Sequence, residues 1–285
     1  MMPSAPRLAV MASLLVGAGC GISDPPEAQP VAVDLPFEAR VGAKPFACGR
    51  TYTGLGTTAT TYEPQDFRVY LHDVRLVTEG GVEVPVTLTE DGVWQKDGGV
   101  LLDFADKSGL CTNGTAATNT RLRGTAPAGT YKGLRFTLGV SEALNHQDVS
   151  TAPSPFNDVG LFWSWRFGYL FTRIEGRTTG LSSGHSMHLG STDCAVLVPG
   201  QPSDGCLHPN RPGVELTGDV LGGGKVVLDL ARLFEGSNLD TNTSGTAAGC
   251  MSGQQDPECA PLFQRLGLAF GAQAAVAQTF IRWEP

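Results

Sequence analysis

From Phe67 onward the chain alternates apolar and polar side chains: Phe67, Val69 and Leu71 against Arg68, Tyr70 and His72. That two-residue period is the mark of a strand with one face on a core. Further short apolar or alternating runs occur at 82–88, 100–104, 134–140, 161–174, 214–220, 226–230 and 275–283. Turn-forming groups lie between them, among them Glu79-Gly80-Gly81, Asp91-Gly92, Asp97-Gly98-Gly99 and Gly222-Gly223-Gly224. Helical patterning is confined to a turn or two at 230–234 and 261–266. Many short strands separated by turns predict an all-β fold, a sandwich or barrel, and the reading adopted is an antiparallel β-sandwich with few short helices. Two loops, 141–159 and 199–213, are longer than simple connectors need to be, and loops of that length are often functional. No internal repeat and no boundary divides the chain, so residues 33–285 form one domain.

Composition sharpens this picture at three points. The 37 glycines and 19 prolines are scattered rather than periodic, as turns require. A net charge of −8 without a basic cluster argues against a nucleic-acid partner, whose phosphates need grouped Lys and Arg. Residues 1–20 carry Arg7, a short apolar run and small residues ending at Cys20, the pattern of an export signal. Cys20 after Gly-Ala-Gly is similar to a lipoprotein cleavage site, although Gly17 stands where such sites usually have an aliphatic residue. A lipidated Cys20 followed by a tether over 21–32 would leave the protein periplasmic or anchored to a membrane on the cell surface; simple secretion is the alternative.

Six cysteines remain beyond Cys20, and an even number in an exported chain points to disulfides. Nearest-neighbour pairing joins Cys194 to Cys206 and Cys250 to Cys259, leaving Cys48 with Cys111, one of several connectivities the count allows. No CxxC spacing favours a zinc ribbon.

The segment LFWSWRFGYLF, starting at Leu161, holds two of the four tryptophans. Read as one strand, it points Trp163 and Trp165 to the same face, in line with Leu161 and Phe167. Taken alone it is a core strand; the functional alternative has one indole lining a site. Of five histidines, His146 lies in the polar loop Leu144-Asn-His-Gln-Asp148, and His185 and His188 sit three apart. On a strand that spacing places them on opposite faces, with His188 toward the region of His146. His72 reads as a polar-face residue, and His208 beside Cys206 as a bystander to a disulfide. Gly-x-Ser-x-Gly, His-Glu-x-x-His and phosphate-loop motifs are absent, so an enzyme has no positive support.

Taken together, Asn145-His146-Gln-Asp148, Phe162-Trp163-Ser-Trp165-x-x-Gly168-Tyr169-x-Phe171, His188-Leu-Gly-Ser-Thr-x-Cys194, Cys250-Met-Ser-Gly253 and Cys259 occur in an order that resembles the MbnP family, the methanobactin-associated copper-binding proteins with a four-cysteine motif. The four cysteines would match Cys194, Cys206, Cys250 and Cys259. The resemblance implies a disulfide-stapled β-sandwich that binds copper and is not an enzyme. It also implies a partner, a di-haem protein related to cytochrome c peroxidases, that converts a tryptophan to kynurenine. The implied Cu(I) ligands are His146, His188 and an oxidised Trp163 or Trp165; Leu161 stands where the family often has Met. Two other readings compete: a metal-free structural or adhesion module on the cell surface, and an enzyme using His146 and His188 as acid and base.

Overall fold

The structure is a computed structural model that describes Met1, residues 29–195 and residues 205–285. The export signal, Cys20 and most of the expected tether lie outside the described residues, as do residues 199–204 of the second long loop. The first strand, Val31–Val41, begins two residues inside the expected tether and buries Val33, Leu35, Phe37, Ala39 and Val41 on one face. It is the centre of one sheet, paired in parallel with Lys225–Asp229 and antiparallel with Arg121–Ala126. Ile281–Glu284 and Thr87–Leu88 form that sheet's edges.

The second sheet is larger and runs Gly213–Thr217, Tyr131–Leu138, Thr60–Thr78, Thr172–Thr178, His185–Leu189 and Gly249–Cys250 in spatial order. Only the last pairing on this path is parallel. Phe37 of the first sheet meets Phe136 of the second edge-on at 6.0 Å, and Phe67 stacks on Phe280 at 6.4 Å. The fold is therefore an all-β, sandwich-like pair of open sheets with, among the described residues, three short helices, Glu142–Asn145, Leu230–Leu233 and Cys259–Leu266. Two of these helices fall where the periodicity placed them; Glu142–Asn145 interrupts what reads as a loop.

Thr60–Thr78 departs from simple alternation, because Phe67 through Leu71 are all buried. The strand Gly99–Asp103 pairs antiparallel along its edge, and the long loop 141–159 packs over it. Within that loop Phe156 stacks on Tyr70 at 5.6 Å, and the Tyr70 hydroxyl donates to the Pro155 carbonyl at 2.7 Å. Tyr169 donates its own hydroxyl to the Phe156 carbonyl. The loop is thus pinned to the sheet, and the aromatic segment after it is pinned to the loop. Three disulfides, Cys48–Cys111, Cys194–Cys206 and Cys250–Cys259, follow the nearest-neighbour pairing. Such bridges accord with an oxidising setting outside the cytoplasm.

Candidate metal centre

The aromatic segment is not one strand. Val159–Leu161 forms a single 3₁₀ turn capped by the Asp158 carboxylate; Phe162–Ser164 and Gly168–Tyr169 then pair as a tight hairpin before Thr172–Thr178 joins the sheet. The hairpin is held from below by Asn145. Its Oδ1 accepts from the Tyr169 N–H at 3.0 Å and its Nδ2 donates to the Phe167 carbonyl at 3.3 Å. Gly168 has φ +76°, and a Cβ there would fall 2.2 Å from the Asn145 carbonyl oxygen. A side chain at 168 would therefore push the hairpin off its support.

This hairpin overturns the expected alignment of Trp163 with Trp165. Trp163 is on a strand, half-buried, edge-on to Phe167 at 6.5 Å. Trp165 sits in the turn, 42% exposed, with its ring edge-on to Phe162 on the other side. Leu161, expected in line with them, is in the core. The period-two reading failed because Ser164-Trp165-Arg166-Phe167 reverses the chain and so resets the face of every later residue.

His188 lies on His185–Leu189, opposite Arg173 of Thr172–Thr178. Its ring is 6.5 Å from the Trp163 ring, and the residue is only 7% exposed. Nε2 lies 2.6 Å from Oε1 of Glu175. An ionised carboxylate can only accept, so Nε2 carries the proton. That leaves Nδ1 as a lone pair, and among the described residues it is buried without a hydrogen-bond partner. A buried acceptor left unpaired is costly unless something else occupies it.

Glu175 is itself held by Arg173, whose Nε is 2.9 Å away and also reaches Asp66 at 3.3 Å. Burial alone would raise the Glu175 carboxyl, but hydrogen bonds from His188 and Arg173 outweigh it and bring its pKa down to about 2. The ion-pair chain continues through Asp66 to Arg68, both fully buried, and on to Asp158, the cap of the 3₁₀ turn that leads into the hairpin. Arg173 also donates to the Gly160 carbonyl at 2.7 Å. One ionic network thus orients the imidazole and anchors the chain entering the Trp163 hairpin.

Trp163 lies across Gly190, where a Cβ would sit 2.6 Å from its Cζ3. Behind it the segment after Cys250 docks by Ser252, which donates to the His188 carbonyl at 2.9 Å and accepts from the Gly190 N–H at 3.0 Å. Trp163, Ser164, Phe167, Thr192 and Met251 line a cleft of about 400 Å³.

His146 is buried at the end of Glu142–Asn145 rather than in an open polar loop. Its Nδ1 is 3.2 Å from the Trp165 carbonyl, which can only accept, so Nδ1 carries the proton. Nε2 is then the lone pair; it accepts from Asn145 Nδ2 at 3.2 Å and lies 3.6 Å from Cys206 Sγ. His146, Cys194 and Cys206 bring one ligand atom each to within 4.8 Å of one another, although the two sulfurs are bonded together. Among the described residues no hydrogen bond or ring contact joins His146 to His188. The structure places Trp163 with His188, and His146 with the Trp165 backbone and the Cys194–Cys206 bridge.

The remaining histidines lie apart. His185 is in the core against Phe234 at 5.9 Å, on the opposite face from His188 as strand geometry demands. His72 contacts the Gly139 carbonyl at 2.9 Å, and His208 is partly exposed beside Asp193 at 3.5 Å. Sequence reasoning missed Glu175, and it met Gly190 and Met251 only as positions within motifs, without a place at the site. Glu175 lies two residues beyond the direct partner of His188, a relation that exists only once the strand register is known.

No curated protein matches the chain. A solved structure, MbnP from Methylosinus trichosporium, superposes with a TM-score of 0.78 at 29% identity, covering 90% of this chain and 100% of that one. The MbnP family model matches residues 30–252, which includes the hairpin, both candidate imidazoles and the Cys194–Cys206 bridge. The chain belongs to the MbnP family.

Proposed function

We propose that this protein is an exported copper carrier, periplasmic or lipid-anchored through Cys20, that holds Cu(I) and catalyses no reaction itself. One observation carries the reading: the bare Nδ1 of His188, buried beside Trp163 with its other nitrogen locked by Glu175. A histidine oriented by a carboxylate is the usual arrangement of a metal ligand, since it fixes the tautomer and raises the basicity of the free nitrogen. Imidazole suits copper, and Cu(I) takes soft or nitrogen ligands readily. His146 supplies the second imidazole, its Nε2 already kept free of a proton by the Trp165 carbonyl.

Indole has no lone pair to offer a metal, whereas kynurenine presents an aryl amine. Trp163 rather than Trp165 is the residue to be opened, because its ring is the one beside His188 and on the cleft. The conversion would be carried out by a di-haem, peroxidase-like partner. Trp165, exposed in the hairpin turn, lies where such a partner has access.

Peptide mapping of protein from its native host, together with Cu(I) titration, tests this. The expected result is one oxygen gained and one carbon lost at Trp163, with copper retention abolished in His188→Ala. Unmodified tryptophan and no bound copper would favour the metal-free, disulfide-stapled module instead.

A further inference from the structure

The geometry points to an alternative soft-metal site, sharing His146 with the proposed copper centre, that is masked by the Cys194–Cys206 disulfide and opened by its reduction. The unprotonated His146 Nε2, which accepts from Asn145 Nδ2 at 3.2 Å, also lies 3.6 Å from Cys206 Sγ, and Cys194 Sγ completes a set within 4.8 Å. In the oxidised protein neither sulfur is a thiolate, so the set is incomplete as a ligand group.

The frame around it persists without the S–S bond. Cys194 and Cys206 are direct cross-strand partners in the pair Thr192–Cys194 and Cys206–His208. Arg166 donates to the Cys194 carbonyl at 3.2 Å, and Asn210 donates to the Gly190 carbonyl at 2.8 Å. These bonds hold both cysteine positions opposite each other after the bridge opens.

The bridge is also the accessible one. Cys206 is partly exposed, whereas Cys111, Cys250 and Cys259 are 0% exposed and Cys48 is 9% exposed. The reductant is a dithiol. Its thiolate attacks Cys206 Sγ, the Cys194–Cys206 bond breaks, and the electron pair leaves on Cys194 Sγ, which takes up a proton. The second thiol of the reductant, as thiolate, then closes the reductant's own disulfide and expels Cys206 Sγ beside His146, where it takes up the second proton. Two electrons and two protons pass to the protein. Cu(I) then displaces the thiol protons and is held by two sulfurs and Nε2, a donor set that selects Cu(I) among biological copper states. Copper retention at this place would follow the thiol redox state and would not need kynurenine.

The test uses the full chain and its Trp163→Phe variant, which removes any amine made from that indole. Each is treated with dithiothreitol under native conditions, and thiol-labelled peptides show which cysteines have opened. Cu(I) is then titrated against a chromophoric Cu(I) chelator. The expected result is labelling of the Cys194–Cys206 pair and of neither other bridge, with Cu(I) binding by Trp163→Phe that appears on reduction and is lost on alkylation or in Cys194→Ser/Cys206→Ser. His146→Ala should weaken the reduced site by more than the ~10-fold that loss of even an outer-shell partner can cost. No added copper after reduction, equal affinity in His146→Ala, or opening of all three bridges together would each overturn the inference. Because Trp163→Phe and His188→Ala act only on the kynurenine site, failure there leaves this result standing, and the reverse also holds.

Discussion

At the scale of single residues, the decisive partner of the site is one the sequence hid. Glu175→Gln keeps the size of the side chain but lets the amide either donate or accept, so the His188 tautomer is no longer fixed. Copper affinity at the His188 site should fall ~10–100-fold, as for other outer-shell losses. Competition titration with a Cu(I) chelator reads this directly, and unchanged affinity would mean that His188 is not a ligand through Nδ1. Gly190 is the second such residue. An alanine there would place its Cβ 2.6 Å from Trp163 Cζ3 and 3.0 Å from the Tyr169 carbonyl. The indole is the softer neighbour and should swing into the cleft, at a cost of ~1–3 kcal/mol typical of overpacking. A shift in tryptophan emission, absent from Trp163→Phe/Gly190→Ala, would identify the displaced ring.

Among the elements, the Trp163 hairpin shows what pattern alone could and could not deliver. Its flanks were legible: the apolar run ending in Ile174 is a strand, and Gly168 sits where a positive φ is needed. The reversal between Ser164 and Gly168 was not, because no Asn-Gly or Asp-Gly pair announces it. The turn is specified by a support 22 to 24 residues away, the buried Asn145, and tertiary hydrogen bonds leave no local signature. Asn145→Ala tests that account. It removes the partners of the Tyr169 N–H and the Phe167 carbonyl, and unpaired buried backbone groups cost ~1–3 kcal/mol each. Hydrogen exchange should show loss of protection at the Tyr169 amide well before the central strand Thr60–Thr78 opens. Uniform loss across the sheet would mean that the hairpin and core unfold as one unit.

Across the whole molecule, many strands were readable because half-buried strands leave a period of two, as in Val214 and Leu216, although Val31–Val41 was not picked out. Their order was not, since parallel neighbours such as Val31–Val41 and Lys225–Asp229 are far apart in sequence. The same strand geometry that sends His188 to the site sends His185 into the core, and this has a measurable consequence. Both nitrogens of His185 are buried without partners among the described residues, and its pKa is lowered from 6.5 to about 4 by burial. Charge from Glu258 and Asp240 opposes that shift without cancelling it, and the buried Tyr62 ring, lying over Gly176 directly opposite His185, offers no charge. The unfolded chain therefore binds this proton at a pH where the folded one does not. His185 contributes its full stability above pH 6.5, and that contribution is lost as the pH falls toward 4, ~3 kcal/mol in all by proton linkage. Below pH 4 the slope from this group ends and the paired carboxylates, Glu175 among them, take over. Because Asp103 and Asp256, raised to about 7 by burial, also titrate in this window, the expected reading is the difference: the urea midpoint of His185→Leu should rise relative to the native protein as the pH falls from 6.5 to 4.5. Parallel declines in the two proteins would show that a different group takes up the proton in that window.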